Sequence, residues 1–187
     1  MKQWATHFGV TLSAFVWILF LFAGCADKSG SQTATARGQY LVLAGGCGDC
    51  HSPKVFVGPN PMPDTNRVLS GYPSEARLPE IPRGIVGPSQ WGAVTTNDMT
   101  AWFGPWGVSF ASNLTPDRKT GIGNWSEGLF LQALRNGKLM GTSRDILPPM
   151  PWRSIARLTD EDLKAIFAYI MSLPPIENEV PPPSPPE

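Results

Sequence analysis

The sequence is poor in residues that ligate metals and carry thiol chemistry. Of 187 residues only two are histidine, His7 and His51, and three are cysteine, Cys25, Cys47 and Cys50. A closed zinc site takes four ligands, usually supplied as two pairs, and a second pair is missing here. No charge of either sign is in excess: 15 basic residues face 15 acidic ones. Nucleic-acid binders normally carry a basic surplus, so that class is set aside. No internal repeat is present. What the chain does have is proline, 20 residues, and glycine, 19. They predict long irregular connections rather than a sheet-rich domain, in a length that suits one core.

Residues 1–24 read as an export signal. A short, weakly positive start leads into an apolar run from Val10 to Ala23, a length that suits a secretory segment better than a membrane span. Leu21-Phe22-Ala23-Gly24-Cys25 resembles the lipobox of bacterial lipoproteins, in which the cysteine becomes the acylated first residue. Phe22 stands where leucine is usual. Cys25 is therefore the candidate lipidation site. An uncleaved anchor stays open, because Phe8 to Ala26 carries no charge. Both readings place the domain in the periplasm or at the cell-envelope surface, held at a membrane. Ala26 after the cysteine favours the outer membrane in a host with two membranes. Residues 25–36 read as a flexible tether. Residues 176–187, ending in "VPPPSPPE", read as a Pro-rich disordered tail without a core-forming face.

Between tether and tail the patterning predicts three helices. Tyr40, Leu41, Leu43 and Ala44 share a face of a helix from Arg37 to about Ala44, stopped by Gly45-Gly46. A second helix runs from Ser126, its cap, to Asn136, with Gly137 ending it. In "LTDEDLKAIFAYIMSLPP" Thr159 is the N-cap and Asp162 holds the capping-box position. Leu158 and Leu163 form a hydrophobic staple, and Leu163, Ile166, Phe167 and Ile170 form the buried stripe. Residues 53–111 show no clean period. They read as an irregular insertion whose Trp91, Trp102 and Trp106 pack on the core, with a docking surface as the second reading. Helices so few bury little by themselves, so something else should fill the middle.

The stretch "GGCGDCHSPK" places Cys47, Cys50 and His51 within five residues. C-x-x-C-H is the attachment signature of c-type haem. Thiols at that spacing reach the two vinyl groups on one porphyrin edge, and the next residue supplies an imidazole to the iron. A zinc corner, a thioredoxin-like dithiol and a structural disulfide are the competing readings. The first lacks a second ligand pair, the second a βαβ setting, and the third leaves His51 unexplained. His7 lies in the leader, so bis-histidine ligation and a distal histidine are both excluded. The sixth iron position falls to methionine, to something unusual such as lysine, or stays open. Met150, in "ILPPMPW", has prolines on both sides that stiffen its backbone, and is the first candidate, with Met140 the fallback. Met171 extends the last helix as a core residue.

These features resemble a monohaem class I c-type cytochrome. Gly38 and Tyr169 match the contact that the family makes between its first and last helices. More narrowly, "SFASNLTPDRKTGIGNWSEGLFLQALRNGK", "LPPMPW" and "LTDEDLKAIFAYIMSLPP" resemble bacterial cytochromes related to the cytochrome subunits of periplasmic alcohol and aldehyde dehydrogenases. The resemblance covers Arg37 to about Pro175. It departs in the long insertion and in having one haem motif where such subunits often have several. It implies an all-α class I cytochrome c fold over 37–175, packed around one covalent haem c. It also implies one-electron transfer with His/Met ligation, as a carrier rather than an enzyme, between a dehydrogenase or other donor and a terminal acceptor. Two alternatives remain. One is an electron-accepting subunit of a periplasmic dehydrogenase complex. The other is a peroxidase or gas-binding haem protein with a labile sixth ligand, against which Met150 and the missing distal histidine both stand. Arg135, Lys138, Arg144, Arg153 and Arg157 bracket the Met150 loop as a candidate basic zone, for haem propionates or an acidic partner.

Overall fold

The structure, a computed structural model, describes residues 33–186. The expected signal peptide over 1–24, the expected acylation of Cys25 and the first part of the expected tether lie outside the described residues.

The first helix, α1 (Ala34–Ala44), starts at Ala34 rather than Arg37, because Thr33 caps it: its hydroxyl accepts from the Ala36 N–H at 3.2 Å. Its buried residues are Gly38 and Val42, while Tyr40 and Leu43, expected on the inner face, are exposed. The contact face is centred on a residue without a side chain, which a hydrophobic period cannot register. Opposite it lies the long helix α5 (Asp160–Met171). A Cβ at Gly38 would overlap the Ala165 carbonyl and come within 2.8 Å of Tyr169 Cβ. The expected crossing at Gly38 and Tyr169 is therefore present.

Thr159 caps α5 as expected, accepting from the Asp162 N–H at 3.1 Å. Asp162 does not complete a reciprocal capping box. Its carboxylate accepts from Arg37 Nε at 2.9 Å and so ties α5 to α1. α3 (Glu127–Asn136) starts at Ser126, whose hydroxyl accepts from the Leu129 N–H, and ends at the left-handed Gly137. Phe130, Ala133 and Leu134 form its buried face. Val42, Phe130, Leu134, Leu163, Ile166 and Ile170 join Leu69 and Ile122 in one core cluster where the three helices meet. Two short helices complete the set: α2 (Cys47–His51) and α4 (Trp152–Ile155).

The expectation of an all-α fold with an irregular insertion is corrected by residues 53–111. They contain an antiparallel hairpin of β1 (Lys54–Val57) and β2 (Asn60–Pro63), with Val55 opposite Met62. A second antiparallel sheet, in the order β3-β4-β5, comprises β3 (Val94–Thr95), β4 (Ala101–Gly104) and β5 (Gly107–Phe110). Strands of two to four residues are too short for alternation to show in a sequence window. Trp102 and Trp106 are partly buried as expected, but Trp91 is 69% exposed and does not pack on the core.

The tail is also corrected. Asn178 is buried, and Ser184 exchanges both backbone hydrogen bonds with Val108, at 2.9 and 3.0 Å. Ser184 interrupts a proline run in "PPPSPP", so it supplies the backbone N–H that its prolines lack. Among the described residues no helix is long and apolar enough to cross a membrane.

Candidate functional site

Gly46, in the left-handed region at φ 64°, turns the chain out of α1 and directly into α2. Cys47, Cys50 and His51 therefore share one short helix, with Cys47 at its start and Cys50 and His51 together at its C-terminal end. Both thiols are free and partly buried. Burial pushes both above the ordinary thiol value, and the Asp49 carboxylate adds to the effect. A redox dithiol needs the opposite, a thiol made acidic by its surroundings. Among the described residues, no three His, Cys, Asp or Glu side chains converge as a metal site would require. The dithiol and zinc readings both lose ground on these observations.

His51 is held by backbone from the far side of the insertion. Its Nδ1 lies 2.8 Å from the Ser112 carbonyl oxygen. A carbonyl only accepts, so Nδ1 carries the proton and Nε2 keeps its lone pair. Burial pushes the ring below the ordinary imidazole value, with the bond to Ser112 opposing that. A neutral imidazole with Nε2 free is the form that ligates iron.

Three layers of backbone bonding keep Ser112 in place. The Gly71 N–H donates to the His51 carbonyl at 2.7 Å, the Tyr72 N–H to Ala111 at 2.9 Å, and the Leu114 N–H to Leu69 at 2.9 Å. Gly71, at φ 81°, passes so close that a Cβ would lie 2.5 Å from the Ala111 carbonyl oxygen and 2.6 Å from the Ser112 carbonyl carbon. Only glycine fits there. Next to Ser112, the buried Asn113 donates to Thr120 Oγ1 and to the Ile176 carbonyl, and accepts from the Thr115 N–H and hydroxyl. Asn178 in the tail donates to the Ser70 and Tyr72 carbonyls and accepts from the Ser74 N–H.

At the end of α2 the Lys54 ammonium lies 2.5 to 3.3 Å from the carbonyls of Gly48, Asp49, Ser52 and Asp98. It neutralises the negative end of the cysteine-bearing helix. Sequence reasoning did not single out Lys54, Ser112, Asn113 or Asn178. A lysine three places after His51 was the available signal for the first; the other three depend on long-range contacts and leave no local trace.

The two methionine candidates separate clearly. Met150 packs against the core cluster that also receives Cys47. Met140 is 51% exposed at φ 51° in a 3-10 turn and takes no part in that cluster. The Met150 loop is held at its start by the Ile146 N–H donating to the Gly137 carbonyl at 2.8 Å. Beyond it, the Trp152 ring lies against Gly137, where a Cβ would overlap it, and Arg153 sits 4.9 Å above the Trp152 ring. The basic zone around this loop is smaller than its charges imply. Arg135 donates to the carbonyls of Ala156 and Leu158 and to Asp160, and Lys138 pairs with Asp145 at 2.6 Å. Arg144 Nη1 donates to the Asp145 carbonyl at 3.3 Å. Two free thiols three residues apart on one helix, an imidazole in the ligating tautomer and a thioether at the core margin form a donor set that fits a covalently attached porphyrin.

No family model matches the chain. Among known proteins it is similar to the gluconate 2-dehydrogenase cytochrome c subunit of Pantoea cypripedii, 31% identical over 150 residues, 80% of this chain and 25% of the relative. It is 36% identical over 172 residues to the cytochrome c subunit of alcohol dehydrogenase (quinone) from Gluconobacter oxydans, covering 91% of this chain and 27% of the relative. A diheme c-type cytochrome of Cereibacter sphaeroides is 27% identical over 158 residues, 84% of this chain and 40% of the relative. The chain thus spans about a quarter of the length of the two dehydrogenase subunits.

Proposed function

This chain belongs to the c-type cytochromes related to the cytochrome c subunits of dehydrogenases, and on that premise we propose that it is an extracytoplasmic one-electron carrier with a single covalent haem c. The single attachment motif of the sequence supports the count of one. Cys47 and Cys50 would hold the group through thioethers, and His51 and Met150 would be the two protein donors to its iron. A haem attached there supplies reversible exchange of one electron at iron, at a potential that a thioether donor raises relative to two nitrogen donors. The protein's own part is to keep that exchange inexpensive in motion. Ser112 fixes the imidazole tautomer, Lys54 secures the attachment helix, and a proline-stiffened loop aims the thioether.

The observation that carries this reading is the bond from His51 Nδ1 to the Ser112 carbonyl. It leaves Nε2 of the only histidine outside the leader ready to ligate, on the same helix as two free thiols. A dehydrogenase is the donor the relatives favour. Arg153 and Arg157 are the cations near the Met150 loop with which such a partner would pair. Cys25 acylation would hold the domain at a membrane, in the periplasm or at the cell-envelope surface.

The test is expression with export in a host that matures c-type cytochromes. The purified protein is expected to carry one covalent haem by mass, lost in Cys47→Ala/Cys50→Ala. Its ferric spectrum is expected to show a weak band at the red end that disappears in Met150→Ala and persists in Met140→Ala. An exported protein of unmodified mass would end the proposal. A band lost only in Met140→Ala would move the sixth ligand to Met140.

A further inference from the structure

We propose that residues 107–113, which close the insertion, brace both axial donors at once, and that Ser109 is a positioning residue for Met150. The inference rests on the reading of His51 and Met150 as ligands and extends it to a residue outside that donor set.

The Met150 loop is short of backbone donors. In Leu147-Pro148-Pro149-Met150-Pro151, three of five residues have no N–H. The loop must therefore be held mainly through its carbonyls. Those of Leu147, Met150 and Pro151 accept from nearby residues of the same loop and of α4. The Pro148 carbonyl instead accepts from the Ser109 hydroxyl at 2.6 Å, from a strand 39 residues away in the chain. Ser109 is 8% exposed, so little water competes for that bond. Its oxygen in turn accepts from Trp106 Nε1 at 3.2 Å, and an indole N–H relayed through a hydroxyl strengthens the next bond.

Three residues further along the same segment, the Ser112 carbonyl takes the proton of His51 Nδ1. One stretch of backbone thus reaches the helix of the fifth donor and the loop of the sixth. The stretch is itself clamped on both sides. β4 pairs with β5, setting Trp102 opposite Ser109, and Ser184 pairs with Val108 from the tail. The insertion and the Pro-rich tail acquire a purpose on this reading. They stiffen the separation of the two donors, which keeps the ligand set the same in both oxidation states.

The experiment compares ferric holoprotein of the wild type with Ser109→Ala, Ser109→Thr and Trp106→Phe. It records the red thioether band and titrates imidazole as a competitor for the sixth position. Loss of one such bond in Ser109→Ala is expected to tighten imidazole binding about fivefold and to weaken the band. Ser109→Thr keeps the hydroxyl and is expected to behave as the wild type. Trp106→Phe keeps the ring and loses the donor, so it is expected to shift the same way by a smaller factor. Wild-type imidazole affinity in Ser109→Ala would overturn the proposal. So would equal losses in Ser109→Ala and Ser109→Thr, which would point to packing rather than the hydroxyl. If Ser109→Ala does not fold, Trp106→Phe decides: tighter imidazole binding supports the brace, and none overturns it. A wild-type protein carrying haem but no thioether band would overturn the Met150 assignment and this proposal together. A normal wild-type band with silent variants would overturn this proposal alone.

Discussion

The helices and the segments that connect them differ in what they bury. Where α1, α3 and α5 meet, the buried side chains are Val42, Phe130, Leu134, Leu163, Ile166 and Ile170. Away from the helices, Leu69, Tyr72, Ala101, Val108 and Ile122 are buried too, but they are joined by the polar Ser52, Ser70, Thr100, Ser109, Asn113, Thr115 and Asn178. Among the described residues, no buried polar side-chain atom lacks a partner. Apolar burial is non-directional and tolerates repacking. A buried hydrogen bond fixes both atoms, and costs more when broken than it contributes when made. The region that must place the Ser112 carbonyl to within a bond length is built from the directional kind of contact. The region that supplies bulk stability is built from the tolerant kind.

That contrast can be broken most sharply where the helical region is not tolerant. Gly38→Val would drive a side chain into the Ala165 carbonyl, and chemical denaturation is expected to show a loss of about 3 kcal/mol or more. Next comes the directional region itself. Asn178→Ala would strip donors from the Ser70 and Tyr72 carbonyls and an acceptor from the Ser74 N–H. A loss of about 2 kcal/mol is expected, with hydrogen exchange rising over residues 70–74 and 111–114 while α3 stays protected. Uniform loosening of the whole molecule would show that the two regions are not separately stabilised.

Thr159→Ala tests the local end of the scale. Removing the cap of α5 is expected to cost about 1 kcal/mol, largely restored in Thr159→Ser. The smallest effect concerns pH. The Arg67 guanidinium, 2.9 Å from Asp64, holds that carboxyl below its ordinary value of 3.8. The folded form then binds the proton less readily than the unfolded chain. Its contribution is complete above pH 3.8 and is lost as pH falls through the lower folded value. Asp64→Asn is expected to lower stability slightly near neutrality, where that contribution is present, and to flatten the profile on the acid side. An acid limb as steep as in the wild type would mean that other carboxylates carry it.

Much of the helical region was legible because its signals are local. Ser126 with Gly137, and Thr159 with the acidic first turn of α5, mark their helices within a few residues. The cysteines and His51 are adjacent in sequence and so had to be adjacent in space. The face of α1 was misread because its contact is a glycine. Asp162 left the capping box because Arg37, 125 residues away, offers it a partner. The insertion and tail were misread for the same reason. Their strands are short, and an isolated Ser184 between prolines becomes a strand residue only because Val108 is beside it.

By itself the sequence determined the cysteine–histidine turn, the caps of the helices and the presence of a stiff loop around Met150. Each of these depends on spacing along a few residues and on the backbone geometry of glycine and proline. Only the tertiary structure decided which proton His51 keeps, which methionine joins the core and what braces its loop. Those outcomes rest on hydrogen bonds between residues 61 and 39 positions apart, and a bond over such distances exists only once the chain has closed on itself.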